Sequence, residues 1–143
     1  MLQDDPALRV IHLTRDPRGM LNSWWKAAYP AEEKLIDANT MCKRILEDVE
    51  ARQQLEIKYP NRVLGIRYED LVSDPLRVAR DVYGTLLGLP VPQAVLDGFD
   101  RSINANESNS YFGTMRRNST ETAYQWMTVL DAELQKQVTN LCS

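Results

Sequence analysis

Two short β-branched apolar runs, each followed by an Asp-Pro pair, constrain the fold of this chain most. Leu8 to Thr14 is nearly continuous in apolar character and reads as a short buried strand. It ends at Arg15-Asp16-Pro17, where Asp16 can cap a helix that starts on proline, a residue tolerated where the N–H is unpaired anyway. Arg62 to Tyr68 reads as a second strand and Glu69 to Val72 as a short connector. Ser73-Asp74-Pro75 then repeats the cap-and-proline signal.

The rest of the chain reads as helices around these strands. The first carries Met20, Leu21 and Trp24 and fades before Tyr29-Pro30. A second spans about Asp37 to Lys58, with an apolar stripe of Met41, Cys42, Ile45, Leu46 and Val49. The helix after Pro75 turns Leu76, Ala79, Val82, Tyr83 and Leu86 inward and stops at Gly88; a short helix lies within Pro90 to Phe99. Arg101 to Thr122, rich in Asn and Ser, reads as a long loop. One closing helix would carry Met127, Leu130, Leu134, Val138 and Leu141. Strand–helix–helix–strand–helix order implies an α/β sandwich with a parallel sheet. Two strands are too few for such a sheet, so further strands N-terminal to this piece are expected.

Composition narrows the function. With 17 Lys+Arg against 20 Asp+Glu the formal charge is −3, a field that serves a nucleic acid poorly. An anion site must then be local, built from a few arginines and backbone N–H groups. No apolar run approaches the roughly 18 residues of a membrane span. Met1 to Pro6 has neither the basic nor the apolar region of a signal peptide. Cys42 and Cys142 lack zinc-type spacing; two separate thiols are the plain reading, with mutual pairing the alternative. His12, the single histidine, sits inside an apolar run and reads as a packed strand residue. No metal site is expected.

Arg15 falls at the carboxyl end of a strand, where open parallel sheets bind ligands, and the following helix aims its positive end there. Asp16, Gly19 and Ser23 share one side of that helix. A phosphate could take a forked contact from Arg15 and a hydroxyl bond from Ser23. The alternative is a capped helix with surface arginines.

Ile11-His12-Leu13-Thr14-Arg15-Asp16-Pro17, with Ser23 eight residues after Arg15, resembles the 3′-phosphate-binding motif of sulfotransferases that use 3′-phosphoadenosine 5′-phosphosulfate. The resemblance implies that Arg15 and Ser23 hold the 3′-phosphate of this co-substrate. Arg67-Tyr68-Glu69-Asp70-Leu71, followed by Ser73-Asp74-Pro75, resembles a second landmark of the family and implies Tyr68 near the adenine. Arg116-Arg117-Asn118-Ser119-Thr120, with Trp126 and the last helix, resembles the C-terminal end of Golgi carbohydrate sulfotransferases. Arg116 or Arg117 would then close over the nucleotide.

The resemblance implies a P-loop-like three-layer sandwich of which residues 1–143 are the C-terminal part. It also implies a glycan acceptor and residence in the Golgi lumen, with any membrane anchor outside this chain. The glycine- and serine-rich loop that cradles the 5′-phosphosulfate in the family has no counterpart here. No residue can be assigned as the catalytic base, and the isolated chain is expected to be inactive. A truncated or degenerate chain that binds nucleotide weakly, or pairs with another protein, is the alternative; the Arg-Asp-Pro…Ser spacing disfavours a P-loop kinase relative. Asn106-Glu107-Ser108 and Asn118-Ser119-Thr120 match the N-glycan acceptor pattern, with Asn106 the roomier site.

Overall fold

The computed structural model describes residues 2–27, 37–103 and 119–143. Strand β1 (Val10–Thr14) pairs in parallel with β2 (Val63–Arg67), in a register that runs from Val10 opposite Val63 to Thr14 opposite Arg67. Between them lie helices α1 (Pro17–Ala27) and α2 (Ala38–Lys58). After β2 come α3 (Tyr68–Ser73), α4 (Pro75–Val82) with a π-helical turn over Tyr83–Leu87, and α5 (Gln93–Ile103). Helices α6 (Ser119–Tyr124), α7 (Trp126–Val129) and α8 (Ala132–Leu141) end the chain. The protein is thus a mixed α/β molecule with a small parallel sheet among the described residues.

Local chemistry explains most boundaries. Asp16 accepts the Arg18 N–H at 2.9 Å while its own carbonyl takes the Met20 N–H at 2.9 Å, so α1 starts as the Asp-Pro signal requires. Asp37 caps α2 through the Asn39 and Thr40 amides. Asp74 caps α4 through Arg77, with Pro75 in the first turn. Asn61 makes the turn into β2 at φ 61°, a conformation asparagine tolerates better than most residues. Gly88, at φ 64°, ends the π-helical turn.

The core is a seam of three helices. Leu21 of α1, Met41 and Cys42 of α2, and Val138 of α8 are fully buried, with Met20, Ile45, Leu134 and Leu141 packed around them. Cys42 and Cys142 form a disulfide that closes a separation of 100 residues, so the two-thiol reading is corrected. The reason is proximity: the α2–α8 contact brings the two cysteines to a Cα–Cα distance of 4.8 Å at the edge of the core.

Three other expectations change. Glu69 to Val72 is not a connector but most of α3, closed by an Asp74 N–H bond to the Asp70 carbonyl. The ends of the expected long loop are helical, since 101–103 continue α5 and 119–122 begin α6; Asn106 and Asn118 lie outside the described residues. The closing helix is broken, because Leu130 is extended and Asp131 starts α8 by capping Glu133 and Leu134. Gln135 satisfies the carbonyls freed at the break, donating to Met127 and Leu130. Met127 is consequently 52% exposed, while its neighbour Trp126 is buried.

The two sheet faces differ. Over Gly65 lies the Arg52–Glu56 ion pair of α2, and a Cβ at Gly65 would come within 2.9 Å of the Arg52 guanidinium. The Gly65 N–H donates to Glu56 Oε1 at 2.9 Å rather than to a strand. On β1, Ile11 and Leu13 remain 50% and 53% exposed.

A disulfide closing so long a loop should stabilise by restricting the unfolded chain. Cys142→Ser is expected to cost roughly 2–4 kcal/mol in urea unfolding. An unchanged midpoint would show that the α2–α8 seam does not depend on the bond.

Candidate functional site

Parallel pairing puts the carboxyl ends of β1 and β2 side by side, so Arg15-Asp16 and Tyr68-Glu69 meet at one edge of the sheet. The Asp16 N–H donates to Glu69 Oε1 at 2.9 Å, joining the two strand ends directly. The Arg15 guanidinium lies over the Tyr68 ring, 4.8 Å from its centroid, a favourable cation–π arrangement. Its Nη2 donates to the Thr122 carbonyl of α6 at 3.3 Å. Its Nε is buried and has no hydrogen-bond partner. A buried donor left without a partner is uncommon and marks Arg15 as a candidate contact for an acceptor.

A second arginine is fully committed. Arg18 donates from Nε and Nη2 to the two Asp16 oxygens, at 2.9 and 2.6 Å, and stacks over Trp126 at 4.0 Å. Burial alone would raise the Asp16 pKa. The hydrogen bonds from the Arg18 side chain and amide, together with its charge, outweigh that and hold it below the ordinary carboxylate value. The same hydrogen bond raises Arg18 against the opposing effect of burial. Gly19 gives room where these groups converge: a Cβ there would stand a tight 3.1 Å from Trp126 Cδ1 and 3.2 Å from Arg15 Nε.

Beside Arg15 opens a cleft of about 220 Å³, lined among others by His12, Thr14, Ile45, Asp48 and Tyr68. The structure therefore brings Arg15 and Tyr68 together. Ser23 is exposed on α1 and does not line this cleft. Arg116 and Arg117 lie outside the described residues. His12 is half-buried on β1, as a strand residue should be, and its Nδ1 has no partner. Glu69 and Arg18 are the residues that sequence reasoning missed. The only available signal was that both stand inside the two motif segments.

Residues 5–93 match the model of the sulfotransferase family. The chain belongs to that family. Carbohydrate sulfotransferase 1 of Danio rerio is 30% identical, over 99% of this chain and 38% of its own length. Carbohydrate sulfotransferase 3 of Rattus norvegicus is 28% identical over 99% of this chain and 33% of its own length. Carbohydrate sulfotransferase 5 of Mus musculus is 29% identical over 99% and 41%. This sulfotransferase-family chain thus spans about two fifths or less of these relatives. No solved structure matches it. The family match includes Arg15, Ser23 and Tyr68 and ends before Arg116. Among the described residues no helix is long and apolar enough to cross a membrane, and no His, Cys, Asp and Glu cluster could hold a metal ion.

The Asp16–Arg18 pair sets an acid dependence. A carboxylate held below its unfolded value of about 3.9 stabilises the fold fully above that pH, and the contribution fades as pH falls through the lowered value. Asp16→Asn is expected to cost on the order of 1–3 kcal/mol at neutral pH. The gap between variant and parent in denaturant unfolding should narrow on acidification below about pH 4. A gap independent of pH would show that the pair is not the cause.

Proposed function

We propose that this chain is the nucleotide-holding, C-terminal part of a carbohydrate sulfotransferase domain. In this reading the domain transfers a sulfuryl group from 3′-phosphoadenosine 5′-phosphosulfate to a hydroxyl of a glycan sugar. The observation that carries the reading is the buried, unpartnered Nε of Arg15 at the carboxyl edge of the sheet, beside the Tyr68 ring. The likeness to carbohydrate sulfotransferases over 99% of the chain supports the same class of chemistry.

The donor supplies the activated sulfuryl group; the residues here bind and orient. Arg15 offers a charged, directional contact to the 3′-phosphate, and its guanidinium is held in place by Tyr68 and the Thr122 carbonyl. The N-terminus of α1 adds its positive end at the same edge. Ser23 adds a hydroxyl from farther along α1, and Tyr68 presents its ring to the adenine. Arg116 or Arg117 closes over the nucleotide. Such positioning lowers the barrier of an in-line transfer without a covalent intermediate on the protein. No side chain here is assigned as the base.

The half-domain reading also has physical support. A parallel sheet is ordinarily covered on both faces, yet Ile11 and Leu13 of β1 stand half-exposed. On β2 the Gly65 amide is already spent on Glu56. Strands that complete a P-loop-like three-layer sandwich would therefore join at β1. The Cys42–Cys142 disulfide fits an oxidising lumen such as the Golgi's, with the membrane anchor outside this chain.

Titration calorimetry with adenosine 3′,5′-bisphosphate tests the site. Arg15→Ala is expected to weaken binding by on the order of 1.5–3 kcal/mol, and Ser23→Ala by less. Unchanged affinity in Arg15→Ala would remove the assignment.

A further inference from the structure

Glu69 is a carboxylate that this fold buries where the two strand ends meet. It is 4% exposed. One oxygen, Oε1, accepts the Asp16 N–H at 2.9 Å; the other, Oε2, has no hydrogen-bond partner. The nearest cation recorded for it, the exposed Arg67, brings Nε only to 4.0 Å. The charges of Arg18 and Arg67 lie near it, but the one hydrogen bond that fixes its direction is the Asp16 amide.

The bonded amide gives the carboxylate a specific reach. The Asp16 N–H belongs to the peptide plane that begins at the Arg15 carbonyl carbon, so fixing that N–H fixes the plane's rotation about the Arg15 Cα–C bond. The next residue back along the second strand end, Tyr68, holds the guanidinium of the same arginine through its ring. Two consecutive residues, Tyr68 and Glu69, therefore grip Arg15 at its side chain and at its backbone. On the other side Gly19 comes close to the guanidinium: a Cβ there would stand 3.2 Å from Arg15 Nε.

We propose that Glu69 is a positioning residue for phosphate recognition: through the Asp16 amide it sets the backbone of Arg15, and so aims the guanidinium at the 3′-phosphate. This rests on the reading of Arg15 given above. Glu69 itself touches no ligand; it acts through Arg15. Its loss should erode discrimination for the 3′-phosphate while leaving binding of the rest of the nucleotide alone.

The experiment uses the full chain and two probes, adenosine 3′,5′-bisphosphate and adenosine 5′-monophosphate, with the ratio of their affinities as the readout. Glu69→Ala is expected to lower that ratio roughly tenfold, with affinity for the monophosphate unchanged. Glu69→Gln keeps an oxygen for the same amide and should retain the parent ratio. In an Arg15→Ala background, Glu69→Ala should lower the ratio no further. Should Glu69→Ala fail to fold, Glu69→Asp, which withdraws the carboxylate by one methylene, is measured instead and should also lose discrimination.

A parent-like ratio in Glu69→Ala, or in Glu69→Asp where that stands in, would overturn the role of Glu69. If Arg15→Ala still lost discrimination, the phosphate assignment would survive. A ratio lost in Glu69→Gln as fully as in Glu69→Ala would overturn the hydrogen-bond route. A parent-like ratio in Arg15→Ala would defeat the phosphate assignment, and this proposal with it.

Discussion

The parallel pairing of Val10–Thr14 with Val63–Arg67 is the constraint on which everything at this site depends. The register is in step over five residues, so both strands finish at the same height and their next residues meet. An antiparallel pair, or a slip of one residue, would separate Arg15 from Tyr68 and carry Glu69 away from the Asp16 amide. The sheet alone is small. It is held by α2, which lays Arg52 and Glu56 over Gly65, and by the strand-end bond between Asp16 and Glu69. The π-helical turn adds a further tie through its Leu86 carbonyl, which accepts from Arg9 at the start of β1.

Around that edge the arginines divide the work. Arg18 is spent on Asp16 and Trp126 and thereby ties α1 to α7. Arg15 keeps a buried donor in reserve. Gly19 packs close to Arg15 Nε, and no acceptor among the described residues reaches it. The phosphate-holding role proposed for Arg15 would give that buried donor, costly to leave unpaired, its acceptor.

Features with local signals were legible in the sequence. Both strands, the Asp16 and Asp74 caps, the α2 start near Asp37 and the stop at Gly88 follow from residues within a few positions of each other. Features made by distant residues were not. Cys42 and Cys142 stand 100 residues apart, and nothing near either one signals the other. Glu69 reads as a connector residue because its partner amide is 53 positions away. The break before α8 was hidden because apolar spacing continues across Asp131; the capping bonds to Glu133 and Leu134 outweigh that pattern. Of the candidate site, the Arg15–Tyr68 pair was readable from two strand ends, whereas the part of Arg18 depends on a tryptophan more than a hundred residues away.

The disulfide and the site share elements. Helix α1 supplies Leu21 to the core and Gly19 to the arginine, and α8 supplies both Val138 and the Thr139 hydroxyl that Arg18 reaches at 3.3 Å. The covalent tie at Cys142 therefore anchors to α2 the same helix that Arg18 reaches. The most direct test of the account is a crystal structure of the chain with adenosine 3′,5′-bisphosphate. The expected result is 3′-phosphate oxygens within about 3.2 Å of the Arg15 guanidinium, with Nε now donating. A nucleotide whose 3′-phosphate lies elsewhere, with Arg15 Nε still unpartnered, would contradict it.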